Sequence, residues 1–258
     1  MQWNKFIRHL SVDLCRHIIP LFRRYGDRPR LFGSGTLATD GHSFFIITAA
    51  HVIDGAFEGK EVFYYVEPGL TQTIGCDCVT TLDKIGGSRD DDHYDIGVFR
   101  IEGPRFPPYP EVNAYPIRMS ALRPYALPRD NKEYLLVGFP ASRAKQRGID
   151  KVIGLRPFSF RNGSLPLEKY HALGFNPEVH ILLGFDQKRV IDEKGSIYSA
   201  PAPHGMSGSP LWLIYSENEK LDPLFPSIVG IVTEHYKSNG FILATDIAVA
   251  LNIISDLK

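Results

Sequence analysis

Several common features are scarce or missing in this sequence, and each absence narrows what the chain can be. Cysteine is scarce: Cys15, Cys76 and Cys78 are the only three in 258 residues. An odd, low count provides no disulfide framework. Cys76 and Cys78 lie two apart, a loop too short to close readily as a disulfide. The spacing is also too tight for a zinc-binding pair. Three reduced thiols are the simpler reading, and no metal or cofactor is called for. Neither sign of charge dominates, with 29 Lys and Arg against 29 Asp and Glu. A neutral chain exerts no global pull on nucleic acid, so no nucleic-acid partner is expected. No apolar run reaches membrane-spanning length. The N-terminus has no secretory apolar core, because Asp13, Arg16 and His17 interrupt it. The cytoplasm is the simplest compartment for such a chain. Internal repeats and low-complexity tracts are missing too. So are the regularly alternating helices of a parallel α/β fold.

What is present is mostly β-like. Apolar residues Trp3, Phe6, Ile7, Leu10, Leu14 and Ile18 recur at helical spacing, which predicts an amphipathic helix over 3–18, stopped by Pro20. Its polar side is basic (Lys5, Arg8, His9, Arg16, His17), as on helices that lie on anionic membranes. The favoured reading is that its apolar face covers the main body of the protein. Short strand-like runs follow at Leu31–Ala38, Ser43–Ala49, Glu61–Val66, Ile74–Thr81 and Asp95–Ile101. A stretch dense in proline, from Pro104 to Pro128, cannot lie inside a sheet and reads as a connector. Strand-like runs resume at Tyr134–Phe139, Val179–Phe185, Leu211–Tyr215, Ile228–Glu234 and Phe241–Ala244. A helix over Asp246–Leu257, capped by Thr245 or Asp246, closes the chain. The expected divisions are 1–30 (helical extension), 31–102 (first β unit), 103–131 (connector), 132–245 (second β unit) and 246–258 (terminal helix). The fold class is all-β with a helix at each end.

Three segments carry chemistry: Ile47-Thr48-Ala49-Ala50-His51-Val52, Tyr94-Asp95-Ile96-Gly97-Val98 and Gly205-Met206-Ser207-Gly208-Ser209-Pro210. A serine hydroxyl becomes a nucleophile only when a base removes its proton. Imidazole suits that role near neutral pH. A carboxylate can hold the imidazole in one tautomer and stabilise its charged form. A glycine-rich turn can aim backbone N–H groups at a developing oxyanion. Asp95 opens an apolar strand, whereas its neighbours Asp90, Asp91 and Asp92 read as a solvated turn.

With the order His51, Asp95, Ser207, these motifs resemble those of chymotrypsin-like (trypsin-fold) serine peptidases. The likeness is nearest to bacterial peptidase domains of the HtrA and glutamyl-endopeptidase type, over about residues 31–257. It implies two six-stranded antiparallel β-barrels with a cleft between them. It implies His51 as general base, Asp95 as its orienting carboxylate and Ser207 as nucleophile. The N–H groups of Gly205 and Ser207 would form the oxyanion hole. Thr233 falls where the family has a serine that supports the aspartate. The segment containing Thr233, Glu234 and His235 would pair with an extended polypeptide substrate. The primary pocket would form near Pro201, Ala202, His235 and Gly240. Pro201 stands at its floor, where an acid would select Lys or Arg. No trypsin-like preference is therefore expected; His235 instead suits an acidic side chain or borders an apolar pocket.

Met206 precedes the nucleophile where zymogen-activated relatives carry an acid, so no activation by a new N-terminus is expected. Activity would then be constitutive, or gated by loop ordering, by the N-terminal helix or by a partner. No appended peptide-binding domain is expected after Leu257, which leaves a separately encoded regulatory protein as the open partner. An α/β-hydrolase is disfavoured, since its elbow needs Gly-x-Ser-x-Gly and the order serine, acid, histidine. The remaining alternative is a catalytically silent binding or regulatory module on the same fold.

Overall fold

The computed structural model describes residues 9–26, 28–57, 60–67, 70–74, 78–82, 88–101, 114–124, 132–147, 152–191, 196–216 and 226–257. The chain is mostly β, built on two curled antiparallel sheets that each form a half-barrel. This architecture is compatible with the trypsin-like fold that the motifs imply.

The first sheet uses β1 (Ile18–Tyr25), β2 (Arg28–Thr39), β3 (Phe44–Ala49), β4 (Val62–Glu67), β5 (Leu70–Thr73), β6 (Cys78–Thr80) and β7 (Ile96–Ile101). Their spatial order is β5-β4-β1-β2-β3-β7-β6, and β8 (Ile117–Arg118) pairs in parallel with β2. A short helix, α1 (Ala50–Phe57), follows β3 directly. The second sheet uses β9 (Lys132–Gly138), β12 (Phe158–Gly163), β13 (His180–Gly184), β16 (Pro210–Ser216), β17 (Ser227–Tyr236) and β18 (Phe241–Asp246), in the order β12-β9-β16-β17-β18-β13. Ser164, just past β12, bridges to Leu183 of β13, so the two edges of this sheet come together. Two small hairpins, β10 (Lys145–Arg147) with β11 (Val152–Gly154) and β14 (Val190–Ile191) with β15 (Ile197–Tyr198), flank it. Helices α2 (Leu167–Leu173) and α3 (Ile247–Asp256) follow β12 and β18.

Alternation along the strands explains why the apolar runs are continuous. In β3, Ile46 faces the inner core of the first sheet, whereas Phe45 and Ile47 face outward into a core shared with the second sheet. In β9, Tyr134 and Leu136 face the second sheet's inner core, whereas Leu135 and Val137 join the shared core. Trp212, Ile228, Ile231 and α3 residues Ile247, Ala250 and Ile254 also fill that shared layer. Each sheet is thus covered on both faces, and the shared layer packs the two together.

The N-terminal region differs from the expectation. Residues 9–14 are helical, and Leu10 and Leu14 are buried in the shared core, so this apolar face does cover the body of the protein. The expected residues up to 8 lie outside the described ones. The helix gives way to a 3-10 turn at Cys15–His17, and Ile18 begins β1. Residues 18–25 therefore belong to the first sheet rather than to a helical extension. Pro20 does not end a helix; it sits in β1 opposite Ser34. β4 pairs with β1 only at Phe22 and Arg23, so on that side no neighbouring strand needs an N–H from Pro20.

Most prolines of the connector lie outside the described residues. Within it, β8 extends the first sheet and Leu122 bridges to Ile228 of the second, so the segment passes between the sheets. The terminal helix forms as expected, with the Asp246 carboxylate accepting from the Ala248 N–H at 3.0 Å. Cys15 is a free thiol, and burial pushes it up to about 12; Cys76 lies outside the described residues. Among the described residues no helix is long and apolar enough to cross a membrane.

Candidate functional site

A cavity of about 1030 Å³ opens between the sheets and is lined by His51, Asp95 and Ser207 together. Each reaches it for a separate structural reason.

His51 is the second residue of α1 rather than a strand end. The start of that helix is capped from β7's side. The Asp95 carbonyl accepts from the Ala50 N–H at 2.9 Å, and Asp95 Oδ1 accepts from the His51 N–H at 2.9 Å. A carboxylate suits this place, because the first N–H groups of a helix have no partner inside it. The other oxygen, Oδ2, lies 2.7 Å from His51 Nδ1. A carboxylate can only accept, so Nδ1 carries the proton, and in the neutral ring Nε2 keeps its lone pair. One carboxylate thereby fixes both the backbone and the tautomer of His51. Gly97 makes this close seating feasible, since a Cβ there would run into Ile53 of α1.

Asp95 holds φ +51°, the one positive φ outside glycine among the described residues. Asp tolerates that left-handed region better than most side chains. Asp92 holds it there: its Oδ1 accepts from the N–H groups of Tyr94 at 3.1 Å and Asp95 at 3.0 Å. Its Oδ2 accepts from Thr81 Oγ1 and from Arg89 Nη1, each at 2.6 Å. Burial raises the Asp92 pKa, but the hydrogen bonds from Thr81, the two N–H groups and Arg89 outweigh it, and the carboxyl is held below its ordinary value. Asp92 is thus not part of a solvated turn; its side chain is only 1 % exposed. From the second sheet, Thr245 Oγ1 donates to the Tyr94 carbonyl at 2.7 Å, and His180 Nε2 meets the His93 carbonyl at 2.8 Å. Behind His51, Arg23 stacks on Phe32 and donates to the carbonyls of His51 at 3.2 Å and Val52 at 2.8 Å.

The Ser207 loop is pinned by its carbonyls. Those of Gly205 and Ser207 accept from Ser34 Oγ at 2.8 Å and the Ser34 N–H at 2.7 Å, and that of Gly208 from Thr36 Oγ1 at 3.1 Å. The His204 carbonyl accepts from the Ala141 N–H at 2.7 Å, and the Met206 carbonyl from the Ser209 N–H at 2.9 Å. In a trans peptide the N–H points opposite to the C=O of the same plane. The N–H groups of Gly205 and Ser207 therefore point away from these anchored carbonyls, and neither has an acceptor among the described residues. Gly205 and Gly208 have φ +87° and +91°. A Cβ on Gly208 would run into the Ser34 carbonyl and the Thr48 hydroxyl, so only glycine fits. Met206 is fully buried in the second sheet's apolar core, where an ion pair has no place.

The other expected residues divide. Ala202, Thr233, Glu234 and His235 line the cavity, whereas Pro201, Gly205 and Gly240 do not. Among the described residues the buried Thr233 hydroxyl has no hydrogen-bond partner, so it makes no such bond to Asp95. Thr245 and His180 hold the Asp95 loop instead. β16 pairs with β17 only as far as Ile231, so Thr233–Tyr236 keeps an edge that β16 does not cover. His235 packs edge-on against Phe185, and burial, then Lys237, then His204 lower its pKa. Among the described residues no hydrogen bond joins the Ser207 hydroxyl to the His51 ring. No protein-family model matches this sequence, and no curated protein matches it either.

Proposed function

We propose that the chain is a serine endopeptidase that cleaves polypeptides through His51, Asp95 and Ser207. The observation that carries the reading is one cavity lined both by His51, whose Nδ1 is bound to Asp95, and by Ser207, whose N–H, like that of Gly205, has no acceptor among the described residues. In this reading the Ser207 Oγ attacks a substrate carbonyl while His51 Nε2 takes its proton. The two N–H groups receive the oxyanion. Asp95 stabilises the imidazolium, which then protonates the leaving amine. Water enters by the same route and releases the acyl group. The substrate backbone adds to the open edge at Thr233–Tyr236, and its side chain enters beside Ala202 and His235. The half-barrels correspond to the two closed barrels of trypsin-fold peptidases, and buried Met206 fits an enzyme that needs no N-terminal trimming. The cytoplasm remains the compartment we assign.

Reaction with a fluorophosphonate probe tests this. Covalent labelling of Ser207 is expected, together with loss of labelling and of peptide cleavage in Ser207→Ala. The missing Ser207–His51 hydrogen bond favours the rival reading of a silent binding module. A folded protein that the probe leaves unlabelled would establish that rival.

A further inference from the structure

We infer that Arg89 is a positioning residue for the His51–Asp95 pair, a role that deepens the peptidase reading and rests on it. The guanidinium joins the two elements that carry the pair. Its Nε and Nη2 donate to Asp54 Oδ2 at 3.0 Å and Oδ1 at 2.6 Å, a two-pronged contact. Asp54 lies three residues after His51, one turn along the same side of α1. Its Nη1 donates to Asp92 Oδ2 at 2.6 Å and to the Leu82 carbonyl at 3.1 Å. Asp92 in turn holds the Tyr94 and Asp95 N–H groups that fix the left-handed turn.

The contacts close a ring: His51, α1, Asp54, Arg89, Asp92, Asp95, and back to His51 through the 2.7 Å hydrogen bond. A ring differs from a tether. With Arg89 in place, α1 and the Asp95 turn cannot shift relative to each other without breaking a charged hydrogen bond. Without it, Asp95 still caps α1 and Asp92 still holds the turn, but the charged link from Asp54 of α1 to Asp92, which sets the angle between them, is gone. The network is shielded, with Arg89, Asp54 and Asp92 side chains 14 %, 10 % and 1 % exposed. A lysine cannot take over, because one ammonium cannot present a planar fork to Asp54 and a third N–H to Asp92. Arg89 also lines the cavity, so its place is reachable by a small solute once the side chain is cut back.

The test uses the full chain with Arg89→Ala and Arg89→Lys. With a fluorophosphonate probe, the maximal rate of Ser207 labelling is expected to fall about 10–100-fold in Arg89→Ala, the range that loss of an outer supporting group costs at metal sites. The probe concentration for half-maximal rate should stay unchanged. Guanidinium ion at a non-denaturing concentration should restore part of the rate; methylammonium at the same ionic strength should not. In 15N-labelled protein the His51 ring signals should lose the Nδ1-protonated pattern of the bound tautomer in both variants. Unchanged His51 signals in a folded variant would overturn the inference, as would a rate loss that guanidinium does not relieve. If wild type is not labelled, the peptidase reading fails, and the His51 signals alone decide on Arg89. If Arg89→Ala does not fold, Arg89→Lys, which retains the positive charge, carries the same test.

Discussion

The two halves of the candidate site are held by different chemistry. On the first sheet, His51 and Asp95 are fixed by charge: Asp95 on a helix terminus, Asp92 on the turn, Arg89 between them and Arg23 behind. On the second, the Ser207 loop is fixed by neutral groups, through carbonyls that meet Ser34 and Thr36 and a glycine that touches the Ser34 backbone. Charged bonds depend on protonation, so pH should loosen the first half. Neutral, close-packed contacts depend on space, so steric substitution should loosen the second. His51 and Asp95 sit where chemistry can tune them, and Ser207 sits where geometry alone decides.

The largest expected effect tests the steric half. Gly208→Ala combines left-handed strain, roughly 1–2 kcal/mol, with overpacking against the Ser34 carbonyl and Thr48, roughly 1–3 kcal/mol. A loss of about 3 kcal/mol in denaturant unfolding is expected, with Ser207 labelling abolished. Gly174→Ala is the matched control, because Gly174 also has a positive φ, +77°, but nothing within 4 Å of its added Cβ. It should lose only the strain, roughly 1–2 kcal/mol. Equal losses in the two variants would mean that conformation, not packing, secures the Ser207 loop.

The next effect tests the charged half. The folded pKa of Asp92 lies below its unfolded value. Its contribution to stability is therefore full above the ordinary carboxylate range and is lost as pH falls through the lowered folded value. Acid should release the Asp95 turn while the Ser207 loop stays pinned. Stability measured against pH should fall in that acid window for wild type, and Asp92→Asn should flatten the slope. A slope unchanged by Asp92→Asn would place the acid sensitivity elsewhere and remove the contrast between the halves.

The site's three named residues were legible in the sequence because each stands in a local pattern: a histidine after an apolar strand, an aspartate before one, a serine between glycines. Their supports were not, because they act across space. Nothing about Ser88-Arg89-Asp90-Asp91-Asp92 in sequence distinguishes a surface turn from a buried clamp; the difference is Asp54, contributed by α1. Ser34 and Thr36 look like ordinary strand residues until the Ser207 loop lies on them. β1 was hidden for another reason. Its apolar residues continue the helical pattern before it, and Pro20 reads as a stop unless one knows that β4 leaves that side of the strand open. The strands flanked by turn residues were readable; the continuous runs were readable as strands only because both faces of each sheet are covered.

The smallest expected effect concerns specificity, and it carries the comparison into the cavity itself. His235, on the second sheet, lines the cavity, and burial first, then Lys237 and His204, lower its pKa. A lowered histidine is neutral at neutral pH and gains its charge only as pH falls through that lowered value. A substrate carboxylate beside it would therefore be received by Lys237 at neutral pH and by a charged His235 as well in mild acid. In a peptide library, cleavage after Glu relative to cleavage after Leu should rise several-fold as pH falls, the size of a modest partly exposed charge interaction. His235→Gln should remove this rise. Lys237→Ala removes a cation that opposes protonation, so it should move the rise to higher pH while weakening the preference at neutrality. A ratio independent of pH would make the pocket apolar in function, with His235 at its rim, and would leave tuning by charge confined to the His51–Asp95 half.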